Sequence, residues 1–493
     1  MTSRLENITS LRQEKIQRLR EKGLNPYPNK YTRTHTTAEA IEMLNTQEAD
    51  ETAPVEISLA GRITALRRMG KISFADLLDS TGKVQLFFKP ENLNSLSEEQ
   101  FKELDIGDFA GARGKMFRTR SGEATLQVSC IDILCKSIEP LPEKWHGLTD
   151  IETRYRQRYL DLISNPGSKE VFIARSKVIS GIREFMDSKG FLEVETPVLH
   201  SSAGGALAKP FVTHHYSLDR QLYLRIALEL PLKRLIVGGF DKVYELGRIF
   251  RNEGISTRHN PEFTMLESYE AYADYQDVMQ MTEEMVSCVV KKVTGSYKVK
   301  FGDSEIDFTP PWPRLDLRQT LEEKSGIDFC KYRDADKLKS KMKQLNLQFD
   351  PNSNWAKLLD GLLGIYVEPH LTQPAFLVDY PIEMSPLAKT KPDDDTIVER
   401  FEAFAGCMEI ANAFSELNDP FEQEKRFIRQ ARERHGDDEE SAGIIDYDFL
   451  KALSFGMPPT GGLGLGIDRL VMLLTNQCSI RDVILFPQLK DRG

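Results

Sequence analysis

Three arginines and four glutamates fall between Arg248 and Glu270, interleaved with His259, Asn260, Phe263 and Tyr269. Guanidinium groups are planar forks that grip phosphate, carboxylates take cations, and aromatic faces take flat or cationic groups. The segment therefore suits a ligand carrying anionic phosphates, a cationic group and a ring. Taken alone it fits a charged surface loop equally well. A second set of acids stands in Phe401–Phe414, FEAFAGCMEIANAF, which reads as two strands joined at Ala405–Gly406. That turn sets Phe404 opposite Cys407 and Glu402 opposite Glu409. Like charges directly opposed across a hairpin are destabilising. A divalent cation between the carboxylates removes the penalty, and so does solvent exposure of both. Asn412, Phe414 and Glu416 alternate onto one face, of opposite parity to Glu409. A bulge is needed to bring all five into one cavity.

The third cluster is Pro458–Gly466, rich in glycine and proline, followed by the short apolar helical run IDRLVMLLT. Glycine lets backbone approach a ligand closely. Arg469 begins the helix beside that loop, where a guanidinium can hold phosphate or stack on a ring. A salt bridge to Asp468 or another neighbour is the alternative. GGLGLG follows no clear strand, and no Lys-Ser/Thr comes after it, so neither a dinucleotide loop nor a P-loop is indicated.

These residues need a scaffold, and 493 residues imply two or three domains. A first helix, about Leu5 to Lys22, carries Arg12, Lys15, Arg18 and Lys22 on one side. That side is a nucleic-acid face or simply a solvated one. Residues 55–135 then alternate in short runs, including Ser73–Leu78, Val84–Phe88 and Leu126–Cys130, with turns at Asp79–Gly82 and Ser121–Gly122. Five or so strands in this space predict a small barrel or sandwich. Phe74 and Gln85, beside Arg62, Arg67, Arg68 and Lys71, form a candidate surface for single-stranded nucleic acid; Phe74 fits a core position as well. From Asn165 the spacing of Val171, Ala174, Val178 and Ile182 predicts a helix up to Gly190. Gln221–Ile226, Val243–Ile249, Glu262–Tyr269, Phe376–Asp379 and Val398–Phe404 are expected strands, and Asp274–Val293 a helix.

Composition narrows the function. A net charge of −10 argues against nonspecific duplex binding as the main task, without excluding a local basic face. The six cysteines include no CxxC pair and no zinc-like spacing. No apolar run suggests a membrane span, and the charged N-terminus lacks a signal-peptide core. A cytoplasmic location is expected.

Together the motifs resemble those of class II aminoacyl-tRNA synthetases. Phe191–Pro197 with its preceding helix is similar to motif 1, FRNEGISTRHNPEF to motif 2, and GLGLGIDR to motif 3. RYRQRYLDL, GGALAKPFVTHH, NAFSELNDP and RDVILFP narrow the resemblance to the bacterial-type lysyl-tRNA synthetase family. The resemblance runs through nearly the whole chain. It implies an α+β fold: an antiparallel six-stranded catalytic sheet flanked by helices, preceded by an OB-fold β-barrel. The implied division is a helical extension over 1–54, an anticodon-binding barrel over 55–137, a linker over 138–165 and a catalytic domain over 166–493. It further implies ATP-dependent activation of L-lysine and its transfer to the terminal adenosine of tRNA(Lys), by a homodimer using Mg2+.

Carried onto this chain, Arg251 would contact the α-phosphate and the lysine carboxylate, and Arg469 would share its catalytic role. Glu253 and Asn260 would bind adenine or orient the loop, and His259 would approach the outer phosphates. Phe263 and Arg469 would enclose adenine, while Glu402 and Glu409 would hold magnesium. Glu229 and the Gly205 backbone would take the α-amino group. Glu267, Tyr269 and Glu416 would surround the side-chain ammonium, with Phe414 beside them and Asn412 at the carboxylate. Phe74, Gln85 and Glu123 match anticodon positions. The chain departs from the family at Leu228, commonly proline, at Pro231, near where a tyrosine is common, and at Ser201–Ser202–Ala203. An aspartate- or asparagine-specific relative is disfavoured by the acids at 229, 267 and 416. A noncatalytic tRNA-binding paralog would not need the nucleotide-binding set.

Overall fold

The computed structural model describes residues 4–142, 148–202, 208–435 and 445–490. The chain forms two compact units, Met1–Leu148 and Thr149–Gly493. In the first, helices α1 (Arg4–Glu21) and α2 (Thr37–Ala49) precede strands β1 (Glu56–Met69), β2 (Ile72–Leu78) and β3 (Lys83–Phe88). Helix α3 (Ser95–Lys102) and strands β4 (Phe109–Arg118) and β5 (Ala124–Cys135) complete it. The strands close into a barrel in the order β1-β2-β3-β5-β4. Ile57, Leu59, Ala75, Leu77, Val84, Leu86 and Leu126 point into its core, as their period of two requires.

The basic side of α1 is not a free face: Arg12 is buried and Lys15 half-buried, while Arg18 and Lys22 are exposed but paired. Arg12 donates to the carbonyls of Ile106, Ser137 and Glu139. Lys15 pairs with Asp105 at 2.6 Å, Arg18 forks onto Glu103, and Lys22 pairs with Glu99. These cations fasten the helix to the rim of the barrel.

The second unit opens with two short helices, α4 (Ile151–Arg156) and α5 (Arg158–Ser164), inside the stretch read as a linker. Arg158 and Asp161 are buried there as an ion pair at 2.7 Å. The long helix α6 (Pro166–Ser188) follows, and then strand β6 (Leu192–Glu193). A small sheet comes next, from β7 (Leu199–His200), β8 (Val212–His215) and β9 (Arg220–Leu224). Helix α7 (Glu229–Val237) leads to the hairpin of β10 (Lys242–Phe250) and β11 (Glu262–Ala271). Helix α8 (Tyr275–Thr294) starts at a reciprocal cap between Asp274 and Asp277. The hairpin of β12 (Lys298–Phe301) and β13 (Ser304–Asp307) precedes strand β14 (Arg314–Asp316). Helices α9 (Leu317–Ser325), α10 (Ala335–Gln344) and α11 (Trp355–Tyr366) share an apolar cluster with residues of the strands that follow, such as Leu377 and Phe404. The chain continues through β15 (Ala375–Pro381), β16 (Ile397–Ala405) and β17 (Met408–Ser415) to helices α12 (Pro420–His435) and α13 (Tyr447–Leu453). Strand β18 (Thr460–Gly466) and helices α14 (Ile467–Leu474) and α15 (Ile480–Val483) end the fold.

The large sheet has the order β14-β15-β16-β17-β18-β11-β10-β6. Its six middle strands are antiparallel, as expected, and a short parallel strand extends each edge. Apolar residues of α6, α8 and α14 pack with Leu266, Leu465, Ala411 and Ala403 of the sheet in one core cluster.

Two expectations need correction. The glycine-rich run is a central strand, not a loop, because β18 lies between β11 and β17. A Cβ at Gly462 would collide with Glu416 Oε1 and stand 2.7 Å from Tyr269 Cε1, so the glycine makes room for those side chains. The hairpin after β16 turns at Gly406–Cys407, both at φ 59°, not at Ala405–Gly406. Positive φ at both central residues is the backbone that tight hairpins favour. Glu402 therefore faces Asn412 across the strands, and Glu409 faces Phe404.

Candidate active site

Pairing register lays the site out as two rows across the sheet. Glu267, Gly464, Asn412 and Glu402 are successive cross-strand partners on β11, β18, β17 and β16. Tyr269, Gly462, Phe414 and Arg400 form the next row on the same face. The register shift that leaves Ile410 without a partner on β16 supplies the bulge the sequence requires. Glu402, Glu409, Asn412, Phe414 and Glu416 consequently line one cavity of about 520 Å³. Arg251, Glu253, His259, Asn260, Phe263, Glu229 and Arg469 line the same cavity. Gly205 lies outside the described residues.

One end of the cavity is acidic, and its acids are buried. Glu229, Glu267 and Glu416 are each less than 10 % exposed. Glu267 accepts from the Leu228 N–H at 2.9 Å and from the Tyr269 hydroxyl at 3.2 Å. Burial pushes Glu267 up to about 7. Burial also raises Glu416 well above the usual carboxylate range, and the Lys233 ammonium opposes that rise. Lys233 was not singled out in the sequence, yet its fully enclosed ammonium lies 2.5 Å from Glu229 and against Glu416. Its position four residues after Glu229 on one helix was the available signal.

The other end is rich in guanidinium groups. Arg251 sits over the Phe263 ring at 5.2 Å and donates to the Ile226 carbonyl. Arg469 donates to the Glu409 carbonyl at 2.6 Å and to its carboxylate at 3.0 Å, whereas Asp468 pairs with Arg175. His259 is held by Ser256, and desolvation followed by the Arg469 charge lowers its basicity. Asn260 donates to the Glu262 carbonyl, while its buried Oδ1 has no partner among the described residues. Such an atom is an acceptor held ready for a ligand N–H.

Glu402 accepts from the Tyr380 hydroxyl at 2.7 Å and from Arg400 at 2.5 Å. Burial lifts it to about 7, with Arg400 pulling down and Glu409 pushing up. Glu402 and Glu409 line the same cavity, and their carboxylates are hard oxygen donors of the type magnesium takes. Arg400 also holds Asn412 and Ser385. Arg400 is a functional residue beyond those expected from the sequence, and its alternation with Glu402 on one strand is the signal for it.

On the barrel, Phe74 is half-buried on the outer face and absent from the core cluster. Its ring lies 5.1 Å from Phe87, which meets Phe117 at 6.0 Å. Gln85 is the cross-strand neighbour of Asp76, two residues from Phe74, and accepts from Thr125 at 3.1 Å. Thr125 also donates to the carbonyl of Glu123, whose side chain is exposed in the β4–β5 turn. The three predicted residues thus share one side of the barrel.

Both units of the chain match known protein families. Residues 150–490 match the family described as tRNA synthetases class II (D, K and N), and residues 57–134 match the OB-fold nucleic acid binding domain. The chain belongs to the class II tRNA synthetases (D, K and N). Among its relatives is a lysine--tRNA ligase of Dehalococcoides mccartyi, 59% identical over 99% of this chain and 98% of the relative. Lysine--tRNA ligases of Moorella thermoacetica, at 52%, and Carboxydothermus hydrogenoformans, at 50%, also match over 99% of this chain and at least 98% of their own lengths.

Proposed function

We infer that this chain joins L-lysine to tRNA(Lys), first activating the amino acid with ATP. The observation that carries this reading is the buried acid cluster of Glu229, Glu267 and Glu416, with Tyr269 at its side. Desolvated carboxylates favour a substrate ammonium strongly and penalise an acidic side chain. The names of the full-length relatives support the same substrate.

In the first step the lysine carboxylate attacks the α-phosphorus of ATP, a P–O bond forms, and pyrophosphate leaves. A carboxylate is already ionised near neutral pH, so the step needs no dedicated base. Arg251 would touch both the carboxylate and the α-phosphate, and Arg469 with Phe263 would enclose adenine. Glu253 and Asn260 would fix the adenine edge, and His259 the outer phosphates. Alignment and charge stabilisation then provide the acceleration. Glu229 would take the α-amino group, Glu267, Tyr269 and Glu416 the side-chain ammonium beside Phe414, and Asn412 the carboxylate end. Glu402 and Glu409 would hold Mg2+, which supplies positive charge opposite the phosphates when bound. A hydroxyl of the terminal adenosine of tRNA then attacks the aminoacyl carbonyl and releases AMP.

Phe74 would stack on an anticodon base, with Gln85 and Glu123 reading base edges. Exposed Leu192, Val198, Leu199 and Val212 are apolar residues at and after motif 1, and they support assembly as a homodimer through that region. Cytoplasmic residence completes the reading; among the described residues no helix is long and apolar enough to cross a membrane.

ATP–pyrophosphate exchange with each amino acid, in the absence of tRNA, tests this directly. Exchange should depend on lysine. Exchange driven by aspartate or asparagine, or by no amino acid, overturns the assignment.

A further inference from the structure

Lys233 stands at the bottom of the acidic end without a place in the reaction above. Its side chain is 0 % exposed, and its ammonium meets Glu229 Oε1 at 2.5 Å and Glu416 Oε2. The rings of Phe414, Phe449 and Tyr269 lie 5.5, 5.8 and 6.0 Å from it. The chain has therefore placed a cation of its own against the carboxylates that would receive the substrate. The Lys233 ion pair is made to Glu416 Oε2, while Oε1 packs beside Gly462 and has no hydrogen-bond partner among the described residues.

We propose that Lys233 is a specificity-determining positioning residue, an internal counter-cation that sets the charge of the amino-acid pocket. Three carboxylates, Glu229, Glu267 and Glu416, stand against Lys233 and Arg251 in this part of the cavity. The Lys233 charge opposes the rise of Glu416 and so favours the ionised carboxylate that an ammonium substrate needs. Without Lys233 the three acids would face Arg251 alone. Buried like charges cannot all remain ionised, so one carboxylate would keep its proton and lose its grip on an ammonium. Among the described residues the titratable groups found against Lys233 are Glu229 on its own helix, Glu416 after β17 and Tyr269 on β11, with Glu267 interacting with Glu416. Arg234, next to it on α7, is committed elsewhere, to Asp446 and Asp448.

The proposal rests on the lysine-activating reading, and the test separates the two. Full-length Lys233→Met and Lys233→Gln are compared with the parent in exchange assays from pH 6.5 to 8.5, varying lysine and ATP separately. Folding is checked by circular dichroism. The parent should show lysine-dependent exchange; its absence removes the functional reading itself. At pH 7 the folded variants should show a lysine KM raised at least about tenfold, with ATP KM within about twofold. The rise of lysine kcat/KM with pH should also move upward by about one unit, because loss of a neighbouring cation raises a carboxylate's pKa. A folded variant with an unchanged profile and lysine KM overturns the proposal. Failure of both variants to fold makes Lys233 structural and overturns it equally.

Discussion

The barrel face and the catalytic cavity both use aromatic rings, and their surroundings make them different instruments. Phe74, Phe87 and Phe117 are half-buried on an outer sheet face. Tyr269 and Phe414 stand in a pocket with Glu229, Glu267 and Glu416. A ring on an open face offers stacking, which is modest and tolerant of what lands on it. A ring beside desolvated carboxylates belongs to a site where one charge is worth several kcal/mol. Selection of the amino acid should therefore be the steeper function of sequence, and selection of the nucleic acid the shallower.

The steepest loss is expected at Arg251. Arg251→Ala should slow adenylate formation about a hundred- to a thousandfold in a folded protein, the cost of roughly 3–4 kcal/mol typical for an electrostatic contact to developing charge. Pre-steady-state formation of the adenylate measures it, and a change below tenfold would take Arg251 out of that role.

Next comes Glu416→Gln, which keeps size and removes charge. Lysine kcat/KM should fall by about 2–5 kcal/mol while ATP KM stays nearly constant, since a desolvated partner of an ammonium is lost. Equal effects on both substrates would place Glu416 outside the side-chain pocket. Phe74→Ala should cost about 1–3 kcal/mol in charging of tRNA, the value of one stacked base. If the folded variant charges tRNA as well as the parent does, Phe74 makes no anticodon contact.

The smallest effect concerns proton linkage. Glu267 must be ionised to hold an ammonium, and burial places it at about 7. Lysine kcat/KM should consequently rise as pH increases through 7 and level off above it. Leu228 stands where the family resemblance leads one to expect proline, and its N–H donates to Glu267 at 2.9 Å. Proline has no such donor. Leu228→Pro should move the rise to higher pH and cost ~1 kcal/mol in lysine kcat/KM at pH 7; an unmoved profile would show that this N–H does not tune Glu267.

The sequence was most legible where period and chemistry coincide. The strands bearing Glu267 and Tyr269 and the helix α6 followed from apolar spacing, and the need for a bulge followed from the parity of Glu409 against Asn412. The hairpin register did not follow, because Ala405–Gly406 and Gly406–Cys407 are both plausible turns until tertiary pairing selects one. The glycine run misled for a similar reason: its glycines clear space for Glu416 and Tyr269, contacts that lie far away in sequence. The cations of α1 looked free because their partners, Glu99, Glu103 and Asp105, come much later in the chain. Lys233 was hidden by its type, since lysine is rarely buried without a paired acid.

The sharpest test of the contrast between cavity and barrel sets Glu416→Gln beside Phe74→Ala, with lysine-dependent exchange and tRNA charging measured on both. The account predicts that Glu416→Gln lowers both reactions at limiting lysine. Phe74→Ala should lower charging alone and leave exchange near the parent level. Loss of exchange in a folded Phe74→Ala protein, or undiminished lysine-dependent exchange in Glu416→Gln, would contradict it.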